Sequence, residues 1–107
     1  MMILMMIDTP EDKRKFVVLY DKYRHLMMKT ALDVLHDPYL AEDATHNAFV
    51  SLACNIDKVD ESENIPTKLY LVACARNAAI DLYRKRSSQM KSETMLDEVV
   101  EKDSYAT

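Results

Sequence analysis

Apolar residues recur every three to four positions over the first third of the chain, which is the spacing of an amphipathic α-helix. The stretch opens at Thr9-Pro10, where Thr9 or Asp8 can cap the helix and proline suits the first helical position. It runs to about His36. The predicted core face consists of Phe16, Leu19, Tyr20, Tyr23, Leu26, Met27, Ala31, Val34 and Leu35. The pattern therefore predicts a long first helix with one broad buried face.

A second cap-and-proline pair, Asp37-Pro38, predicts a second helix that runs to about Ile56. The positions expected to pack are Leu40, Ala44, Ala48, Phe49, Leu52 and Ile56. An adjacent stripe of this helix is predicted to face outward, and it consists of Asp43, His46, Asn47 and Val50.

A third helix is predicted to begin near Pro66, after the acidic loop Asp57–Asn64. Its expected apolar stripe is Leu69, Val72, Ala73, Ile80 and Tyr83. A polar face beside that stripe carries Tyr70, Cys74, Asn77, Asp81 and Arg84 at helical spacing. The sequence thus predicts a helix with one face that packs and a neighbouring face that is available to bind.

Asn77 is the most informative residue of that polar face. Asparagine is a poor helix former, and a residue selected only for solubility would more often be Glu, Lys or Gln. The alternative interpretation is a solvated face on which Arg84, Lys85 and Arg86 complement the negative end of the helix dipole. For the three cations alone this alternative is preferred, whereas Asn77 favours a binding surface.

The two ends of the chain differ in character from the predicted helices. Met1–Ile7 is apolar but too short to span a bilayer, so we expect no membrane insertion. We expect this segment to pack on the domain or on a neighbour, for example in a homodimer. Ser92–Thr107 is acidic and terminal, which indicates a linker or a frayed tail. The expected organisation is a helical domain over residues 1–88 and a tail over residues 89–107.

Composition narrows the class of protein further. The chain of 107 residues contains no glycine, which excludes glycine-dependent phosphate loops and favours a single all-α domain built as a three-helix bundle. Its two cysteines, Cys54 and Cys74, form no metal-ligand motif, and we expect them to be small buried residues in a reducing cytosol. The sequence shows no catalytic or metal-binding constellation. It predicts no enzymatic activity and no cofactor.

The charges are segregated along the chain, although the net charge is −4. Residues 37–63 carry seven acids against Lys58 alone. Residues 64–91 carry six cations against Asp81 alone. A basic patch on a globally acidic protein is therefore expected, and the total charge is a poor guide to its partners.

Two segments together resemble a known family. Ala41–Phe49 and Tyr70–Arg84 resemble region 2 of sigma-70 family RNA polymerase sigma factors, of the extracytoplasmic-function type. Phe16–Tyr23 looks like the opening segment of the same family, and the resemblance covers roughly Lys15–Ser88. It implies a bacterial, cytoplasmic transcription initiation factor whose partners are core RNA polymerase and promoter DNA.

The resemblance also implies roles for individual residues. Asp43, His46, Asn47 and Val50 match the surface that binds the clamp helices of the polymerase largest subunit. The loop after Ile56 and the third helix match the part that opens the −10 promoter element and holds the non-template strand. Asn77 would lie near a flipped-out base, Asp81 would orient its neighbours, and Tyr70 could stack. The residues expected to track phosphates are Arg76, Arg84, Lys85 and Arg86.

Departures from the family pattern leave other readings open. The family commonly has Gln-Glu where this chain has His46-Asn47, and a tryptophan where it has Tyr70. No second helical domain follows to read the −35 element, so we expect either a fragment of a longer protein or a one-domain factor. The alternatives are a polymerase-binding regulator without DNA readout and a sigma-like subunit completed by another chain. An anti-sigma protein is a further possible partner.

Overall fold

Three α-helices form the body of the protein in a computed structural model, which describes residues 2–60 and 65–97. They are α1 (Pro10–Leu35), α2 (Pro38–Cys54) and α3 (Ile65–Asp97). Two short 3-10 helices accompany them, Met2–Met6 and Ile56–Lys58, and the described ranges contain no strand. Each α-helix packs against the other two. The prediction of an all-α, three-helix domain is therefore confirmed.

Local sequence signals determine where the first two helices begin. The Thr9 hydroxyl accepts a hydrogen bond from the Asp12 backbone N–H at 3.1 Å. The Asp37 carboxylate accepts two, from the N–H groups of Tyr39 at 2.9 Å and Leu40 at 3.3 Å. Each acceptor satisfies donors that have no partner inside the helix. Both predicted caps are confirmed, with Thr9 rather than Asp8 as the first.

His36 closes α1 and lets the chain reverse within two residues. It adopts the left-handed conformation with φ 55°, and its N–H donates to the Leu32 carbonyl at 2.8 Å. Glycine usually supplies this conformation at a helix end. Since the chain has no glycine, histidine supplies it here. The short connection makes α1 and α2 antiparallel neighbours.

The main core cluster lies between all three helices. Phe16, Phe49 and Tyr20 form its aromatic centre, with ring centroids 5.9 Å apart for Phe16–Phe49 and 4.7 Å apart for Tyr20–Phe49. Leu52 and Leu71 contribute fully buried side chains from α2 and α3. Its other buried members are Ile3, Ile7, Leu19, Tyr23, Met27, Ala48, Ala53, Ile56 and Ala75. The cluster shows that the predicted core face of α1 is correct at its most buried positions.

The apolar N-terminal segment packs on its own domain. Ile3 and Ile7 are buried in the main core cluster, while Met5 is 81% exposed. The Met2–Met6 helix contacts α2. The prediction of a packed N-terminal segment is confirmed over the part that the structure describes. The alternative, in which a second copy of the chain covers this segment, receives no support.

A second, smaller group of buried residues consists of Ala31, Ala41, Ala44 and Ala79, and we call it the alanine cluster. All four side chains are fully buried. They come from α1, α2 and α3, so methyl groups from three helices meet at one point. Small residues at such a point let the helices approach one another closely.

The predicted packing face of α3 is wrong. Leu69 and Tyr83 are 60% and 56% exposed, and the buried residues are instead Leu71, Ala75 and Ala79. The buried face of α3 therefore has one large residue, Leu71, in the cluster that contains Phe16 and Phe49, and it has alanines at the next two buried positions, where the helices pack closely. Val72, Ala73 and Ile80, the other members of the predicted stripe, are half-buried.

Three smaller differences concern the second helix and the cysteines. Ala41 and Ala53, which were not predicted to pack, are buried, whereas Leu40 is only half-buried. The expectation of buried cysteines is wrong for Cys54, which is exposed at the last position of α2. Cys74 is half-buried on α3.

Two hydrogen bonds attach the α2–α3 connection to the bundle. Lys15 of α1 donates from Nζ to the Val59 carbonyl at 2.7 Å. The buried Thr67 hydroxyl donates to the Asp60 carbonyl at 3.0 Å. Residues 61–64 of the predicted acidic loop lie outside the described residues. Helix α3 continues past Ser88 to Asp97, so part of the predicted tail is helical, and residues 98–107 also lie outside the described part.

Candidate nucleic-acid interface

The outward stripe predicted on α2 is divided by the fold. Asp43, His46 and Asn47 are exposed, as the sequence predicts. Val50 is half-buried and packs against the main core cluster. The exposed members face two different grooves on opposite sides of α2.

The first groove lies between α1 and α2 and has a volume of about 520 Å³. Asp43 and His46 line it from α2, and Arg24 lines it from α1. Its aromatic residues are Tyr20 and Phe49, and the Arg24 guanidinium lies 5.5 Å from the centre of the Tyr20 ring. The other lining residues are Ile3, His25, Met28, Glu42 and Thr45. This α1–α2 groove combines an apolar base with charges of both signs, which suits the polar and apolar side chains of a protein partner.

The second groove lies between α2 and α3 and has a volume of about 320 Å³. Asn47 and Ser51 line it from α2, while Asn77, Asp81 and Lys85 line it from α3. Ala48, Cys74, Ala78 and Leu82 complete its lining. This α2–α3 groove brings the base-reading candidate Asn77 and the phosphate-binding candidate Lys85 together.

Tyr70 lies at a third depression, near the start of α3. It lines a hollow of about 490 Å³ with Asn55, Lys58, Val59, Asp60, Pro66 and Thr67. Its side chain is 37% exposed, which leaves part of the ring free to stack. The ring is therefore placed beside the α2–α3 connection rather than inside the α2–α3 groove.

Tyr70 and Cys74 also interact with each other. Burial raises the pKa of the Tyr70 hydroxyl, and a side-chain hydrogen bond with Cys74 raises it further. Burial likewise raises the pKa of the Cys74 thiol, although its hydrogen bond with Tyr70 acts in the opposite direction. Both groups are therefore uncharged at neutral pH, and the thiol forms little of the reactive thiolate.

The four predicted phosphate-binding cations do not share one face. Arg76, Arg84, Lys85 and Arg86 are all exposed, but Lys85 alone of these lines the α2–α3 groove. Consecutive helical residues are separated by roughly 100° around the axis, so Arg76 points well away from Asn77. The cations of α3 therefore surround the helix rather than forming a single row.

The expected role of Asp81 is not supported by its contacts. Its side chain is exposed, and the described residues show no ion pair between Asp81 and Arg84 or Lys85. Asp81 lines the α2–α3 groove instead. It can therefore accept a hydrogen bond from a group in that groove.

Sequence reasoning missed the contributions of neighbouring helices to each groove. Ser51 joins the α2–α3 groove, and its spacing of four residues from Asn47 is the signal that could have identified it. Arg24 and His25 of α1 line the α1–α2 groove, and the single-helix pattern contains no signal for that contact. Across the parts of the chain that the structure describes, no cluster of residues could hold a metal ion. No helix in those parts is long and apolar enough to cross a membrane.

The all-α fold agrees with a comparison against protein families. The family model for sigma-70 region 2 matches residues 19–89, which include most of α1, all of α2 and the whole polar face of α3. The chain therefore belongs to the sigma-70 region 2 family, whose domains act in transcription initiation by binding core RNA polymerase and the −10 promoter element. Neither the curated proteins nor the solved structures gave a match.

Proposed function

We propose that this chain is an extracytoplasmic-function type of sigma region 2. It binds the clamp helices of core RNA polymerase through α2 and holds the non-template strand of the −10 element against α3. The observation that carries the proposal is the separation of two chemically different grooves on the two sides of α2. One has two aromatic rings at its base, and the other has no aromatic residue in its lining and presents two amides, a hydroxyl, a carboxylate and a cation.

The polymerase contact is assigned to the exposed side of α2. Asp43 and His46 line the α1–α2 groove, so a partner helix lying across α2 reaches them without any rearrangement of the bundle. Asn47 stands one turn beyond Asp43 on the exposed surface. Half-buried Val50 offers only an edge to such a partner. Asp43 is therefore the one acid of the predicted stripe in this contact, and Glu42 is a second acid in the lining of the same groove.

The strand contact is assigned to α3. The Asn77 amide can donate and accept hydrogen bonds at a base edge, which gives it the chemistry for sequence readout. Lys85 in the groove and Arg84 and Arg86 beside it supply cations for phosphates. Tyr70 offers a partly exposed ring on which a neighbouring base can stack.

The polymerase assignment is tested by Asp43→Arg. We expect this variant to lose co-purification with core polymerase while its helical circular dichroism signal and melting temperature stay unchanged, because the side chain is exposed and makes no described hydrogen bond. Asp21→Arg is the matched control, since Asp21 is an exposed acid of α1 that is not among the residues lining the groove. Equal loss in both variants would refute a specific contact at Asp43.

The strand assignment is tested with labelled single strands. Asn77→Ala should reduce discrimination between −10 sequences by about 1–3 kcal/mol, as for a paired base contact. Arg84→Ala should instead weaken all strands alike and lower the slope of log K against log salt by about 0.7. If wild-type protein binds core polymerase but shows no strand preference in the complex, the chain is a polymerase-binding regulator without DNA readout.

A further inference from the structure

The α2–α3 groove contains polar side chains that have no partner among the described residues. Asn47, Asn77, Asp81 and Lys85 line it, and within the described residues none of these side chains makes a hydrogen bond or an ion pair. The Ser51 side chain is likewise unbonded, and only its backbone carbonyl accepts a bond, from Asn55 at 3.0 Å. All five side chains are exposed, so they are open to hydrogen bonds from a group that enters the groove.

The chemistry of the lining fits a single nucleotide. Two amides can each donate and accept at a base edge, and the Ser51 hydroxyl can do the same. The Asp81 carboxylate can accept from an exocyclic amino group, and the Lys85 ammonium can contact a phosphate. Small apolar residues, Ala48 and Ala78, lie between these polar groups. The volume of about 320 Å³ is at the lower end of small-ligand sites, which fits one base rather than several.

We propose that Asn47 of α2 is a second base-reading residue, which contacts the same unpaired nucleotide as Asn77 from the opposite wall of the α2–α3 groove. The proposal rests on the proposed function, because it names a further residue for strand recognition. It assigns to DNA a residue whose position in the family pattern otherwise indicates polymerase binding.

The division of α2 between two grooves supports this assignment. Asp43 and His46 line the α1–α2 groove, whereas Asn47 lines the α2–α3 groove with α3 residues. Lys85 is the cation in the lining of the groove that Asn47 shares, so a phosphate can be bound beside Asn47, while Asp81 on the α3 wall is left to accept from a base. A neutral amide on this wall avoids the repulsion that a carboxylate at the same position would exert on a phosphate.

The test measures strand preference of the whole chain by fluorescence anisotropy, with short fluorescein-labelled strands in which each position is varied in turn. The measurement is made at low ionic strength, without and then with core polymerase. Asn47→Ala should reduce discrimination at one strand position by roughly 5- to 100-fold, as expected for the loss of a paired base contact. Asn77→Ala should affect the same position. The double variant should lose less than the sum of the single losses, because both residues contact one base.

Two further variants make the result specific. Asn47→Asp keeps the size of the side chain but places a negative charge in the groove, so it should weaken strand binding more than Asn47→Ala does. Asp21→Ala is the control for truncating an exposed helical side chain, and strand preference should not change. Melting temperatures of all variants report whether the fold is intact.

The outcomes separate the two proposals. If Asn47→Ala leaves strand preference unchanged and weakens co-purification with core polymerase, Asn47 belongs to the protein interface and the inference is wrong. If the two asparagine variants change different strand positions, a shared nucleotide is excluded. If wild-type protein shows no preference with or without polymerase, strand readout itself fails, and the inference fails with it.

Discussion

The rotation of α3 about its own axis determines which of its side chains line the α2–α3 groove. Two leucines of α3, two positions apart in the sequence, allow this rotation to be tested. Leu71 is fully buried in the main core cluster, while Leu69 is 60% exposed. The sequence pattern predicts the opposite, with Leu69 inside. Leu71→Ala and Leu69→Ala remove the same atoms from the same helix, so differences in helix propensity cancel in the comparison.

The expected magnitudes follow from burial. Truncating a fully buried leucine costs about 2–5 kcal/mol, because it removes apolar contacts and leaves a cavity. Burying a leucine completely is worth about 1.5–3 kcal/mol, so Leu69, which keeps 40% of its surface covered, should lose about 1 kcal/mol or less. A domain of this size has a total stability of about 5–10 kcal/mol. Leu71→Ala should therefore remove a large fraction of the stability, and Leu69→Ala a small one.

Urea denaturation followed by circular dichroism at the helical minimum measures both variants. The urea concentration at which half of the protein is unfolded should fall strongly for Leu71→Ala and little for Leu69→Ala. The slope of the free energy of unfolding against urea concentration should be similar in both variants. Equal costs, or a larger cost at Leu69, would refute the described rotation of α3. In that case Asn77 and Lys85 would no longer face Asn47, and the single-nucleotide inference would lose its geometric basis.

Three more predictions concern the start of α2 and the two thiols. Asp37→Ala should cost about 1–2 kcal/mol in urea denaturation, because it leaves the N–H groups of Tyr39 and Leu40 without their acceptor, whereas Asp37→Asn should recover most of the loss. Exposed Cys54 should react faster than half-buried Cys74 with a thiol reagent at neutral pH, and Cys54→Ser should remove the fast phase. Burial raises the pKa of the Cys74 thiol in the folded protein above its usual 9.0. The stability that comes from keeping this thiol protonated is therefore complete below pH 9, and it is lost as the pH rises through the pKa of the folded protein. Above pH 9 the free energy of unfolding should therefore fall more steeply for the wild-type protein than for Cys74→Ala. Equal pH dependence in the two proteins would contradict a raised pKa at Cys74.

The helix boundaries could be predicted from the sequence because their causes are local. Thr9 and Asp37 cap the helices that they precede, and each is followed by proline at the first helical position. The three-helix class followed from periodicity and from the absence of glycine. Such signals need only the neighbouring residues, so a single sequence contains them.

The rotation of α3 could not be predicted in the same way. Leu69, Val72 and Tyr83 have helical spacing, and so have Leu71, Ala75 and Ala79. The choice between the two stripes depends on how much space α1 and α2 leave, which is a property of the assembled bundle. The same limit applies to the candidate site. The polar face of α3 was visible in the sequence, but its pairing with Asn47 and Ser51 required the packed structure.

The alanine cluster divides the bundle into halves of unequal resistance to opening. A buried methyl group contributes about 0.8 kcal/mol, far less than the leucine and phenylalanine side chains of the main core cluster. The half near the reversal at His36 has only alanines at its fully buried positions, with half-buried Leu35 and Leu82 packed against them, so we expect its backbone amides to exchange with solvent through smaller openings than those around Phe16 and Leu52. Ala79 belongs to this half, and Asp81 and Lys85 follow it along α3. The part of the α3 wall that follows Ala79 thus belongs to the half expected to open more easily, and a strand bound there should be detected as slower amide exchange in that segment.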